Sequence, residues 1–192
     1  MKILGIDPGL RVTGYGVISG VGAAFDLIEA GVIRTAAKDG IAGRLKAIYR
    51  GLSGLLEDTK PEVLAIEKLF AHYKHPATAI LMGHARGVIC LAASEQNVPV
   101  VSFASTRVKM AVLSSGHAAK AQIQRAVQWH LRLKKAPEPA DVADALAVAL
   151  TFGLTQGRLG EQQPLVARPG RKRLAEALEG LEDEFQKGKA IA

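Results

Sequence analysis

Three observations predict an α/β fold, a mixed five-stranded sheet with helices on both faces. The chain opens with three runs rich in Val, Ile and Gly, separated by short turns, which read as a meander. Two more apolar runs, 63–67 and 98–103, have strand length. The segments around them carry apolar residues at helical spacing.

Residues 2–6 form a short buried strand that stops at Pro8 and Gly9. Residues 13–19 return antiparallel to it, and their glycines imply that something approaches the backbone closely. A third strand, 25–35, completes the meander. Leu45, Ile48, Leu52 and Leu55 place a helix over 41–56, and Pro61 restarts the chain into the strand 63–67. A loop at 69–76 leads to a long helix, 77–95, and then to the strand 98–103. Helices follow at 105–113 and 118–132, broken by Ser114-Ser115-Gly116, and the last core helix covers 140–152. After about Thr155 the composition turns to Gly, Gln and Pro before a short amphipathic stretch, 174–185. The expected organisation is one α/β domain, 1–154, and a basic, polar C-terminal extension, 155–192.

The 192 residues are 48% hydrophobic, enough for one buried core, but only 5% aromatic, so aliphatic side chains and Ala must fill it. A formal charge of +7 points to a polyanionic partner. Cys90 is the single cysteine, so no disulfide forms within the chain, as in a reducing cytoplasm. No signal-like opening is seen, and no apolar run is expected to approach the ~20 residues of a membrane span. A cytoplasmic protein without a membrane partner is expected.

Four carboxylates carry the chemistry. Asp7 closes the first strand and Glu67 closes the fourth, while Asp141 and Asp144 stand three apart at the start of the last helix and share a face. In open α/β sheets functional groups gather at the carboxyl ends of strands. Each residue has a plainer reading: Asp7 as a turn-former in Asp-Pro-Gly, Glu67 as a surface residue, Asp141 as an N-cap. Asp144 lies too far inside the helix to cap it. Four such groups repel one another unless a cation sits among them, and hard oxygen donors suit Mg²⁺ or Mn²⁺. Two metals about 3.5–4 Å apart would activate a water and steady the leaving oxygen of a phosphodiester. This points to a metal-dependent nuclease with no covalent nucleophile.

From Gln96 to Pro137 no acid occurs, while Arg107, Lys109, Lys120, Arg125, Arg132, Lys134 and Lys135 do. Such a segment suits contact with phosphates, against the plainer reading of a solvated basic face. Phe70, His72, Tyr73, Lys74 and His75, directly after Glu67, interleave aromatics with cations and suit stacking on exposed bases; Phe70 is equally well placed to anchor the loop in the core.

The segment Gly5-Ile6-Asp7-Pro8-Gly9-Leu10-Arg11-Val12-Thr13-Gly14-Tyr15-Gly16 resembles the opening of the RuvC family of bacterial crossover (Holliday) junction resolvases. The resemblance continues through Ile66-Glu67-Lys68-Leu69-Phe70, Gly83-His84-Ala85-Arg86-Gly87, Arg107-Val108-Lys109, Lys120-Ala121-Gln122 and Asp141-Val142-Ala143-Asp144-Ala145-Leu146-Ala147. It implies a ribonuclease-H-like fold and a homodimer that nicks symmetric strands of a four-way junction, leaving 5′-phosphate ends. By the same resemblance Asp7, Glu67, Asp141 and Asp144 are the catalytic metal ligands, holding two Mg²⁺ per site with Mn²⁺ as a substitute. Phe70 matches an aromatic that stacks on unpaired bases, and Lys109 and Lys120 match residues that bind DNA near the cut. Arg107, Tyr73 and Lys74 are added as candidate DNA contacts. The RuvA–RuvB branch-migration motor is the implied partner. The loop 71–76, rich in His and cations, and the turn Ser114-Ser115-Gly116-His117 depart from the family pattern.

Two rival readings remain, a junction-binding protein without catalysis and a related nuclease that processes RNA. Clustered acids beside phosphates would gain nothing for binding alone. A sugar-kinase or actin-like ATPase needs a second copy of the fold, and a dinucleotide-binding reading fails because the glycines run into a strand.

Overall fold

The computed structural model describes residues 1–22, 24–69, 76–113 and 119–155. The strands are β1 (Lys2–Asp7), β2 (Val12–Val21), β3 (Ala24–Arg34), β4 (Val63–Glu67) and β5 (Val100–Phe103). The helices are α1 (Gly40–Thr59), α2 (Pro76–Glu95), α3 (Ser105–Leu113), α4 (Lys120–His130) and α5 (Ala140–Thr155). The sheet order is β3-β2-β1-β4-β5. β1, β2 and β3 pair antiparallel, and β4 pairs parallel with β1 and with β5. This is the mixed five-stranded sheet that the sequence predicts.

Strand alternation sorts the core into two layers. Leu4, Ile6, Leu64 and Ile66 pack with Ile48, Leu52, Leu56, Ala85 and Ile89 of α1 and α2. Ile3, Val63 and Ala65 face the opposite way, onto Val108, Val127, Val142 and Leu146 of α3, α4 and α5. Burying one such aliphatic side chain contributes about 1.5–3 kcal/mol. The same alternation carries Asp7, two residues beyond Gly5, and Glu67, two beyond Ala65, onto the α5 side.

Glycines set the depth of α5. A Cβ added at Gly5 would stand 2.1 Å from the Ala145 carbonyl oxygen, and one at Gly14 would stand 2.0 Å from that of Asp141. One at Gly16 would strike the Leu146 side chain at 2.4 Å. The close neighbour expected for Gly14 and Gly16 is therefore α5, its backbone at Gly14 and the Leu146 side chain at Gly16.

Several boundaries differ from expectation, among them the C-terminus of α1, which runs on to Thr59, and both ends of β2. β5 begins at Val100, because Val98 still closes the α2 turn through its N–H to the Ala93 carbonyl, 2.9 Å. α4 is shorter than expected, starting at Lys120, where the Gln122 side chain accepts from the Ala119 N–H, 2.8 Å. It ends at His130, and Arg132 adopts a left-handed φ of 51°. α5 runs on to Thr155, whose hydroxyl donates to the Thr151 carbonyl, 2.5 Å. The expectation that no apolar run approaches a membrane span is also corrected: Ala77–Glu95 is long and apolar enough by length and composition. Part of that apolarity is core, since Ala85, Ile89, Ala92 and Ala93 are wholly buried in the α1–α2 layer, while Ile80, Leu81 and Leu91 are exposed. The loop residues 70–75, the break 114–117, the stretch 174–185 and the rest of the extension after Thr155 lie outside the described residues.

Candidate active site

β1 and β4 run parallel and in register, Ile6 beside Ile66, so Asp7 and Glu67 leave the sheet side by side at its carboxyl edge. α5 begins at Ala140, which makes Asp141 its second residue rather than its N-cap. With α5 pressed onto Gly14 and Gly5, its N-terminal end brings Asp141 and Asp144 to the same edge. Asp7, Glu67 and Asp144 line a cleft of about 280 Å³ with Ser105, Val108, Lys109, Lys120 and Ile123. A second cleft of about 370 Å³ continues from it past Pro8, Lys68, Leu69, Met82 and Thr106, sharing Asp7, Glu67 and Ser105.

The electrostatics record the convergence. Burial pushes the Asp7 carboxyl up from 3.8 to about 7, with Asp144, Glu67 and Asp141 adding repulsion and Lys120 opposing it. Glu67 is also raised by burial, against a hydrogen bond from Ser105 and the charges of Lys109 and Lys120. Asp144 is raised by burial too, offset first by Lys120, whose Nζ lies 3.9 Å from its Oδ2. Among the described residues no group of three His, Cys, Asp or Glu is close enough to hold a metal ion as it stands. The site is thus a convergence of carboxylates on a shared cleft rather than a finished cage. Its donors are all hard oxygens, half-buried and mutually repelling, which fits Mg²⁺ or Mn²⁺ better than a softer ion.

The structure brings Asp7, Glu67, Asp144, Lys109 and Lys120 together around the cleft. Asp141 adds its charge from the margin without lining it, and Arg107 stands exposed on α3 away from it. Phe70, Tyr73 and Lys74 lie outside the described residues. Two members had not been singled out from the sequence. Ser105, the first residue of α3, bonds Glu67. Arg86 of α2 reaches the strand ends: Nη1 donates to the Glu67 carbonyl, 2.5 Å, and Nη2 to Ser102 Oγ, 2.6 Å. A lone arginine in an otherwise apolar helix was the available signal.

Comparison with known proteins shows the family and the fold. The family described as "Crossover junction endodeoxyribonuclease RuvC" matches residues 3–152. A protein of that name from Rhodopirellula baltica is 53% identical over 148 residues, 77% of this chain and 83% of that relative. One from Petrotoga mobilis is 46% identical over 80% of this chain and 93% of its own length. The solved structure of Thermus thermophilus RuvC in complex with Holliday junction substrate superposes with a TM-score of 0.80 at 35% identity, covering 86% of this chain and 99% of that one. With its carboxylates at the edge of a sheet of matching fold, this chain belongs to the RuvC family of crossover junction endodeoxyribonucleases.

Proposed function

We propose that this chain is a metal-dependent endodeoxyribonuclease that resolves Holliday junctions by paired symmetric nicks in recombination and DNA repair. The observation that carries the reading is the convergence of Asp7, Glu67 and Asp144 on one basic-rimmed cleft, with Asp141 beside them. Asp7, Glu67, Asp141 and Asp144 serve as catalytic ligands for two Mg²⁺, with Mn²⁺ as a substitute. When bound, the metals supply activation of the attacking water and neutralisation of charge at the scissile phosphate. Ser105 holds the Glu67 carboxylate in place, and Arg86 fixes the backbone that carries it. Lys109 and Lys120 neutralise phosphate oxygens entering the cleft and limit repulsion among the acids. Arg107 meets the backbone farther out. Phe70, with Tyr73 and Lys74, stacks against bases opened at the crossover.

Paired incision calls for two sites, so a twofold homodimer belongs to the proposal. α2 supports it: Ile80 (61% exposed) and Leu91 (53%) flank exposed His84 and Gly87 in a stripe at helical spacing. An added Cβ at Gly83 or Gly87 would meet nothing within 4 Å, leaving room for a close partner. The partners are four-way junction DNA and the RuvA–RuvB motor, and the setting is the cytoplasm. Residues 1–154 form the nuclease domain, with 155–192 as an appendage.

The test is cleavage of a synthetic four-way junction in Mg²⁺, beside linear duplex and an RNA–DNA hybrid, with Asp7→Asn as control. Symmetric nicks on the junction alone, reduced at least about 100-fold in the variant while binding in EDTA persists, are expected. Tight binding without cutting in Mg²⁺ or Mn²⁺ would instead make the chain a junction-binding protein, and preference for the hybrid would make it an RNA-processing nuclease.

A further inference from the structure

Trp129 is the single tryptophan of the chain and the penultimate residue of α4, yet 76% of it is exposed to water. Leaving so large a ring in water forgoes the stabilisation that its burial would give. The ring has an aromatic neighbour. It packs edge-on against His130, centroids 5.0 Å apart at 78°, and the His130 ring nitrogen Nε2 is bonded to the Val112 carbonyl of α3, 3.1 Å. The chain beyond the helix is tied back as well. Gln128 Nε2 donates to the Leu133 carbonyl, 3.2 Å, and the Leu133 N–H to the Gln128 carbonyl, 2.9 Å. Gln124 Nε2 donates to the Pro137 carbonyl, 3.2 Å.

Arg125, Gln128, Trp129, His130, Arg132 and Leu133 line an open cleft of about 620 Å³. Arg125 stands one helical turn before Trp129 on the same exposed face, and exposed Lys134 and Lys135 follow Arg132. Cations after a helix C-terminus answer the helix dipole, which accounts for Arg132 and its neighbours. It does not account for Arg125 or for the exposed indole. An exposed aromatic among cations, in a segment without acids, has the chemistry of a nucleic-acid backbone contact: charge for phosphates and a flat apolar face for sugars or bases.

We propose that this surface is a second DNA-contact site, which grips a duplex arm of the junction away from the cut. The rise of α4 from Lys120 to Trp129 is about 14 Å, roughly four base pairs at about 3.4 Å each. Arg125, Arg132, Lys134 and Lys135 hold phosphates there, and Trp129 packs on the sugar or base edge. The inference rests on the junction-nuclease reading.

Because Trp129 is the only indole, its fluorescence in the full-length native protein reports this surface directly. The protein is titrated with a four-way junction in EDTA. Cleavage in Mg²⁺ and the salt dependence of binding are then compared for it and for Arg125→Ala/Arg132→Ala. Junction binding should quench or shift the Trp129 emission. The double variant should bind about 10–100-fold more weakly, with a salt slope lower by about two, and cut at an unchanged rate when saturated. Silent Trp129 emission in a protein that binds and cuts the junction, or an unchanged salt slope in the variant, overturns this site alone. So does an emission change produced by polyglutamate and not by DNA, which would mark a docking surface for an acidic protein. Failure of the unaltered protein to bind or cut the junction removes the underlying reading, and this site with it.

Discussion

Asp7 is buried at the strand end, with the like charges of Asp144, Glu67 and Asp141 beside it, and this fixes the sign of its pH dependence. In the fold its carboxyl titrates near 7, against 3.8 for the free group. The folded chain therefore holds that proton more tightly than the unfolded chain does. Its contribution to stability is complete below 3.8 and is lost as pH rises through about 7. In EDTA the melting temperature should fall between about pH 5 and pH 8, and Asp7→Asn should flatten that fall. Parallel melting curves for the two proteins would contradict the assignment. Arg86 invites a different test, since its two nitrogens join the Glu67 carbonyl to Ser102 across neighbouring strand ends. Lysine lacks the fork that bonds both, so Arg86→Lys should lower the cutting rate about 10–100-fold while junction affinity stays unchanged. A loss confined to affinity would instead place Arg86 on the DNA.

At the scale of elements, α5 lying flat on β1 and β2 assembles the site. Gly14 is the tightest point, because an added Cβ would stand 2.0 Å from the Asp141 carbonyl oxygen, a backbone atom that cannot swing aside. Gly14→Ala should thus cost about 1–3 kcal/mol in urea unfolding and abolish most cutting by lifting the first turn of α5, with DNA binding retained. Full activity in that variant would show that the α5 contact does not govern the carboxylates. Much of this was legible in the sequence. Period-two alternation followed by an acid at each strand end placed Asp7 and Glu67, and glycines inside a strand announced a close neighbour. The identity of that neighbour was not legible, because α5 meets β1 and β2 through contacts more than 100 residues apart in sequence. Ser105 and Arg86 were missed for the same reason: local pattern carries no information about which strand end a side chain will reach. Trp129 was overlooked because helical spacing ranks residues by the face they bury, and its meaning lies in its failure to be buried.

For the whole molecule the question is how one site per chain produces two coordinated cuts. On a cruciform held open by supercoiling, a single nick releases the supercoiling, so paired cutting requires the second cut within the lifetime of one complex. Two protomers related by a twofold axis satisfy this, since the junction presents equivalent strands to equivalent sites. In the proposed homodimer the exposed stripe of α2 is the candidate seam: it is apolar at Ile80, Leu81 and Leu91 and open at Gly87. Cores of such interfaces are depleted of charge, and a buried carboxylate there would cost more than the interface gains from one side chain. Leu91→Glu, on the solvent side of α2, leaves the buried layer of Ala85, Ile89 and Ala92 untouched and should keep the fold. It should sediment as a monomer where the parent sediments as a dimer. On a supercoiled plasmid carrying a cruciform, the parent should yield linear product from paired cuts. The variant should yield nicked circles, because the first incision releases the supercoiling that holds the cruciform open. Linear product from a protein that has become a monomer would separate pairing from dimerisation; a variant that remains a dimer would move the interface off α2.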